Sequence, residues 1–417
     1  MRFTLPAVLI FVIVTLSCKQ REQATGIITD EVRARIDATL KSFVDTNRVA
    51  GISALIFEKN KEVYFNSFGM ADREAGIPMD RNTIVRIFSM TKPVTGVALM
   101  QLYEKGLFQL DDPLSKYAPE FGNVKVFAGF DEKGNMKLTA PNRPITIRDI
   151  TRHTAGFLNA GHKELGEMFR QADVMNKNNT LTQMAEKLSK LPLAFQPGEE
   201  WSYGVCVDVQ AYIVEKLSGK PFDQYVIENV LNPLKMENTR YVPADMKRLA
   251  AMYNRAEGKL NRVADSIANG FNAQPWPLKP GGFGLTSTVD DYMRFAQMLV
   301  HGGKLDGAVV LKEETVKLMS TNQLSDSVTE RMWLPSKGQV GFGIDFAVRL
   351  REPQGPDEKN GTVGEFFWDG AASTLFWIDP KNDLTAVLFV QIFPFDNPVH
   401  KEFKDAVYGK YSAAAKP

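Results

Sequence analysis

The spacing of apolar residues along this chain changes several times, and each change marks an element. From Thr29 onward, Val32, Ile36, Leu40, Phe43 and Val44 recur at helical intervals, and Asp30-Glu31 suit a positive first turn. Residues 52–58 and 62–68 are two extended runs around Lys59-Asn60-Lys61, which predicts a hairpin. A helix is expected over 89–104, closed by Gly106. From about 110 to 275 helical signals alternate with loops. A helix start stands at Thr146-Ile147-Arg148-Asp149, one helix covers 181–191, and another covers 203–217 with Gly219 behind it. Residues 121–144 are polar and without period, so they read as an inserted loop. Past Gly281-Gly282-Phe283-Gly284 a helix is expected over 289–301. Two strands follow at 373–378 and 384–392, and a last helix covers 399–411.

Strands thus sit at both ends of the chain, with helices between them. The economical assembly is an α/β (α+β) fold, an antiparallel sheet flanked by helices with an inserted mainly helical lobe. Residues 29–108 and 275–417 would form the sheet domain and 109–274 the helical one. Ahead of them, Arg2, an apolar run over 5–16 and Ser17-Cys18-Lys19 read as a signal segment over 1–18, followed by a polar tether over 19–28. The run is shorter than the ~20 residues of a membrane-spanning helix.

Composition adds little to this picture. The 417 residues are 44% apolar with a formal net charge of +1, which gives no reason to expect nucleic acid as a partner and points to a small substrate. Of the two cysteines, Cys18 stands directly after the apolar run, where a bacterial lipoprotein carries its lipidated cysteine. A plain cleaved signal is the other reading, and in both the protein is exported. Cys206, in an apolar run, reads as a small core residue. No group of His, Asp or Glu has zinc spacing, and no cofactor is implied.

The chemistry centres on Ser89-Met90-Thr91-Lys92, the only Ser-x-x-Lys in the chain. Residues three apart share a helix face, so Lys92 can reach the Ser89 hydroxyl. The residues after it (Val94, Val97, Ala98, Leu99, Met100, Leu102) are apolar almost all round, so the helix should be buried. Burial disfavours an ammonium and makes the amine a usable base. Taken alone, the four residues could equally be a capping serine and an exposed lysine. There is no Gly-x-Ser-x-Gly elbow, and the four histidines carry no triad signal; His153 reads as a structural, hydrogen-bonding residue.

The context of that motif resembles the class C β-lactamase-related serine hydrolases, which include β-lactamases, D-alanyl peptidases and family VIII carboxylesterases. The resemblance rests on ordered blocks: Val85 to Lys92, Leu110-Asp111-Asp112-Pro113-Leu114, Thr146 to Phe157, Gln196 to Tyr203, and Gly282 to Thr288. It implies the β-lactamase/penicillin-binding-protein-like form of the fold above. It also implies Ser89 as nucleophile, Lys92 as the base that takes its proton, and Tyr203 as second base and leaving-group acid.

Two departures bear on the substrate. Where relatives have Tyr-x-Asn, this chain has Tyr203-Gly204-Val205, and valine cannot donate an amide hydrogen bond. Where they have Lys-Thr-Gly, it has Trp368-Asp369-Gly370. Trp368 cannot pair with a carboxylate and Asp369 would repel one. The next residue, Ala371, is the expected second oxyanion donor through its backbone N–H. Phe195, Trp201, Trp276, Trp333, Phe366 and Phe367 suggest an apolar pocket. The expected function is hydrolysis of carboxylic esters, with amides in reach, through an acyl-Ser89 intermediate. The alternatives are a β-lactamase or D-alanyl-D-alanine carboxypeptidase, an acyltransferase, or a non-catalytic surface binding protein. The expected location is the periplasm, or a membrane held through lipidated Cys18.

Overall fold

A computed structural model describes residues 26–412, so the signal segment, Cys18 and most of the tether lie outside the described residues. Its centre is an eight-stranded antiparallel sheet. The order from one edge is Val340–Phe342, Ala347–Arg349, Phe366–Asp369, Leu375–Asp379, Leu384–Val390, Gly51–Glu58, Lys61–Asp72 and Ile77–Pro78. The N-terminal hairpin therefore docks in mid-sheet on the C-terminal strands, with Ile52 opposite Val390 and Glu58 opposite Leu384.

The central strands are apolar on both faces because both faces are covered. Consecutive strand residues point to opposite sides. Phe376 meets Tyr292 of the helix Val289–Val300 at 5.0 Å between ring centroids. Its neighbour Trp377 meets Phe403 of the C-terminal helix Asn397–Tyr408 at 5.3 Å. Trp377 is fully buried, and its indole N–H donates to Tyr408 Oη at 2.9 Å. The helix Asp30–Asp45, capped by Thr29, packs beside the C-terminal helix with Val32, Ile36, Leu40 and Phe43 inward, the periodicity seen in the sequence. The last tether residues are docked rather than free: Ile28 is buried, and Ile27 N–H donates to Glu58 at 2.6 Å.

The middle of the chain holds the helices Ile147–Thr151, Leu181–Leu188 and Cys206–Ser218. The first two begin with capping boxes, Thr146 with Asp149 and Thr180 with Gln183. Cys206 is buried in the core, where burial raises its thiol pKa. Two expectations need correction. Residues 121–144 are not a patternless loop, since Val126–Phe130 and Met136–Thr139 pair as an exposed hairpin. Tyr203 does not open a helix: that helix begins at Cys206, and Tyr203 lies in the loop before it.

Candidate active site

Ser89 sits in a 3-10 turn, Phe88–Met90, feeding the helix Thr91–Glu104. The expected helix is thus real but starts two residues later. Phe88 adopts φ +45°, a strained conformation for a side chain of this size, and it turns the chain sharply just before the serine. The helix is buried almost throughout, packed against the helix Cys206–Ser218 and the helical stretch 222–231, so Lys92 is carried inside with it.

The arrangement places Lys92 Nζ 3.1 Å from Ser89 Oγ and 2.6 Å from the carbonyl oxygen of Gly282. It also lies 4.5 Å from the centroid of the Tyr203 ring. Gly282 N–H in turn donates to Asp208 Oδ1 at 3.0 Å. A Cβ on Gly281 would stand 2.3 Å from the Val207 carbonyl oxygen, so only glycine lets this strand-like segment approach both helices. Lys92 is therefore aimed at Ser89 by a backbone carbonyl, itself fixed by a carboxylate one turn into the next helix.

Two acids that the sequence reading did not single out flank this lysine. Burial pushes Asp208 up to about 6, against the positive charge of Lys92 and the Gly282 N–H. Burial also raises Asp345 well above the usual range, opposed by a 3.0 Å hydrogen bond from Gln210 and by Lys92. The signal was present: Asp208 and Gln210 interrupt an otherwise apolar helical run, Val207 to Val214.

Tyr203 is held from several sides. Ser202 N–H donates to the His153 carbonyl at 2.9 Å, and Trp201 N–H to that of Glu330 at 2.8 Å. Trp368 Nε1 donates to the Tyr203 hydroxyl at 3.2 Å. The Tyr203 ring lies against Trp201, Trp333 and His153, at centroid distances of 5.9, 4.9 and 4.8 Å. His153 is corrected here. Neither ring nitrogen has a hydrogen-bond partner, and burial, with the charge of Lys92, lowers its pKa well below the usual range. It acts as a neutral packing ring.

The strand Phe366–Asp369 ends beside the nucleophile. A Cβ on Gly370 would lie 2.5 Å from the Ile87 carbonyl oxygen, so the glycine permits this approach, and Ala371 reaches the cavity at Ser89. That cavity, about 300 Å³ and mostly apolar, is lined by Ser89, Tyr203, Trp333, Ser336, Lys337, Asp369, Ala371 and Phe395. Trp368 and Val205 are buried. Of the aromatics expected around it, only Trp333 lines it; Phe195, Trp276, Phe366 and Phe367 do not, and Trp201 stands behind Tyr203. Phe395 was missed.

So was Lys337. It projects from the short 3-10 turn Leu334–Lys337, is 4% exposed, and forms an ion pair with Asp369. Burial pushes the Asp369 carboxyl up, but Lys337 outweighs that and holds it below the usual range. Asp369 is therefore not a bare negative charge. Pro335-Ser336-Lys337-Gly338 reads as a surface turn, and nothing in it announces an inward lysine. Among the described residues no group of His, Cys, Asp and Glu could hold a metal ion, and no helix is long and apolar enough to cross a membrane.

Ser89 and Tyr203 thus line one cavity together with Ala371, and the Lys92 amine touches the serine hydroxyl. Such a set can pass a proton from the serine and carry an acyl group on it. Known proteins resemble the chain over most of its length. The chain is 34% identical to Protein Rv1367c of Mycobacterium tuberculosis over 86% of its length and 89% of that protein. It is 28% identical to Esterase EstB of Burkholderia gladioli over 63% of this chain and 68% of EstB. Among solved structures, EstCE1, described as a hydrolase with promiscuous acyltransferase activity, superposes with a TM-score of 0.76 at 24% identity, over 91% of this chain and 99% of that one. The family model described as Beta-lactamase matches residues 36–408, and the chain belongs to that family.

Proposed function

We propose that this protein is a serine hydrolase of carboxylic esters that works through an acyl-Ser89 intermediate. The observation that carries the reading is the contact chain Ser89 Oγ, Lys92 Nζ, Tyr203 ring, at 3.1 and 4.5 Å, opening on a largely apolar cavity. Ser89 attacks the ester carbonyl while Lys92, acting as the unprotonated amine, takes its proton. The oxyanion is met by the backbone N–H groups of Ser89 and Ala371. Tyr203 protonates the departing alkoxide, and water then reverses the sequence. EstB, an esterase, supports the choice of ester over β-lactam, as does Val205 in place of an amide donor.

Release of the acyl group to an alcohol instead of water is the same chemistry with a different second nucleophile. Export, with or without a lipid on Cys18, remains our reading of the first 18 residues. The test is kcat/KM for short-chain nitrophenyl esters against a chromogenic cephalosporin. The esters should be turned over at least ~10-fold more efficiently, a free-energy gap of about 1.4 kcal/mol. A faster cephalosporin reaction would make this a β-lactamase.

A further inference from the structure

The cavity at Ser89 has one charged end. Lys337 and Asp369 both line it, with Lys337 Nζ set over the rings of Trp333, Trp368 and Phe395 at 5.1, 5.4 and 4.8 Å. A second lysine, Lys359, is 3% exposed and within electrostatic reach of Lys337 and Asp369, and burial lowers its pKa to about 7. Its Nζ has no hydrogen-bond partner.

The neighbouring acids are already engaged. Glu365 pairs with Lys404 at 2.6 Å and with Arg349 at 3.4 Å, all three fully buried. Asp379 accepts hydrogen bonds from Tyr408 at 2.9 Å and Asn382 at 2.6 Å. His400 adds no further positive charge, because burial lowers it to about 3, and its Nε2 meets the Ser373 carbonyl at 2.9 Å. With Lys359 unprotonated, three cationic side chains face three carboxylates in this buried cluster, and its protonation adds a fourth positive charge. An excess buried cation is costly unless an anion joins it. Lys337 and Asp369 are the members of the cluster that line the cavity, and Lys337 is the cation among them. An anion placed there would pair with Lys337, while Asp369 kept Lys359 as its counter-ion.

We infer that Lys337, backed by Asp369 and Lys359, is a carboxylate-binding subsite, and that the substrate is an ester carrying a carboxylate close to its scissile carbonyl. The inference rests on the ester-hydrolase reading and narrows it: the carboxylate selects the ester, and Ser89 cleaves it. It also reverses the expectation of a pocket without a carboxylate anchor.

The test compares each acid with its own methyl ester, so that length stays nearly constant and, on the acyl side, the leaving group is the same. On the acyl side, the nitrophenyl hemiesters of glutarate and adipate are compared with their methyl diesters. On the alcohol side, 4-butyryloxybenzoate is compared with its methyl ester. In wild type at least one acid should exceed its neutral partner about tenfold in kcat/KM, the size of one charge-assisted hydrogen bond. The arm that shows the preference tells which side of the ester carries the charge.

The double variant K337M/D369N removes both members of the ion pair together, so neither is left unpaired in the cavity, and Lys359 behind them can shed its proton. Its acid-to-ester ratio should fall to about one, within the spread expected for a neutral pocket. A wild-type ratio of one or less in both arms would overturn the subsite while leaving the esterase reading standing. So would a double variant that keeps the wild-type ratio. Failure to turn over any ester would instead sink the reading on which the subsite rests.

Discussion

Two buried lysines stand at the cavity of Ser89, and their surroundings differ. Lys92 touches only uncharged oxygens directly, the Ser89 hydroxyl and the Gly282 carbonyl, while its acids, Asp208 and Asp345, stand behind. Lys337 touches a carboxylate directly. A lysine in contact with a hydroxyl can exchange a proton with it. A lysine locked to a carboxylate serves as a fixed charge. Placement on the backbone enforces the difference: Lys92 is three residues from its serine on a rigid buried helix, whereas Lys337 hangs on a turn beside an edge strand. One end of the cavity is built for chemistry and the other for recognition.

That contrast can be broken by substitution. Ser89→Ala should lower ester turnover most, by about 10⁴-fold or more, because the group that forms the covalent bond is gone. Lys92→Ala and Tyr203→Phe should each cost about 10²–10⁴-fold in kcat, the range of a lost general base or acid. For the same esters, K337M/D369N should act on substrate preference, so steady-state kinetics on matched neutral and acidic esters separate the two ends.

Asp208 offers a sharper test of what stands behind Lys92. Its carboxyl is pushed from 3.8 to about 6 in the fold, so it holds its proton more tightly folded than unfolded. The stability it contributes is therefore complete below pH 3.8 and lost as the pH rises through 6. Wild type should lose up to about 3 kcal/mol relative to Asp208→Asn between pH 4 and pH 7. Denaturant midpoints of the two proteins across that window report it, and parallel curves would show that the group is unperturbed.

The smallest effect concerns Tyr203. Trp368→Phe keeps the ring but removes the Nε1 donor to the Tyr203 hydroxyl. A three- to tenfold fall in kcat is expected, about the worth of one hydrogen bond. KM should hardly move, since the group positions the phenol and does not touch the ester. A fall in affinity with unchanged kcat would assign Trp368 to binding.

Much of the fold was legible because its signals are local. The helix face of Val32, Ile36, Leu40 and Phe43, the hairpin turn at Lys59-Asn60, and the capping residue Thr146 each act within a few residues. Ser89 and Lys92 were legible for the same reason, being three apart on one face. The strands Val340–Phe342 and Ala347–Arg349 were not, since three residues are too few to establish a period. Tyr203 came through resemblance alone: a loop residue carries no spacing signal. Lys337 meets Asp369 across 32 positions, and their pairing is set by how an interior strand and a turn pack. Long-range electrostatics of this kind leave no trace in local pattern. His153 misled for a related reason, since an imidazole reads as polar until burial makes it a packing ring.

The most direct test of the central claim is intact-mass spectrometry after rapid quenching of the protein with a short-chain nitrophenyl ester, followed by peptide mapping. Wild type should gain the mass of one acyl group on the peptide containing Ser89. Lys92→Ala should gain it far more slowly, and Ser89→Ala should gain nothing. An acyl group on any other residue, or one that still forms in Ser89→Ala, would contradict the account.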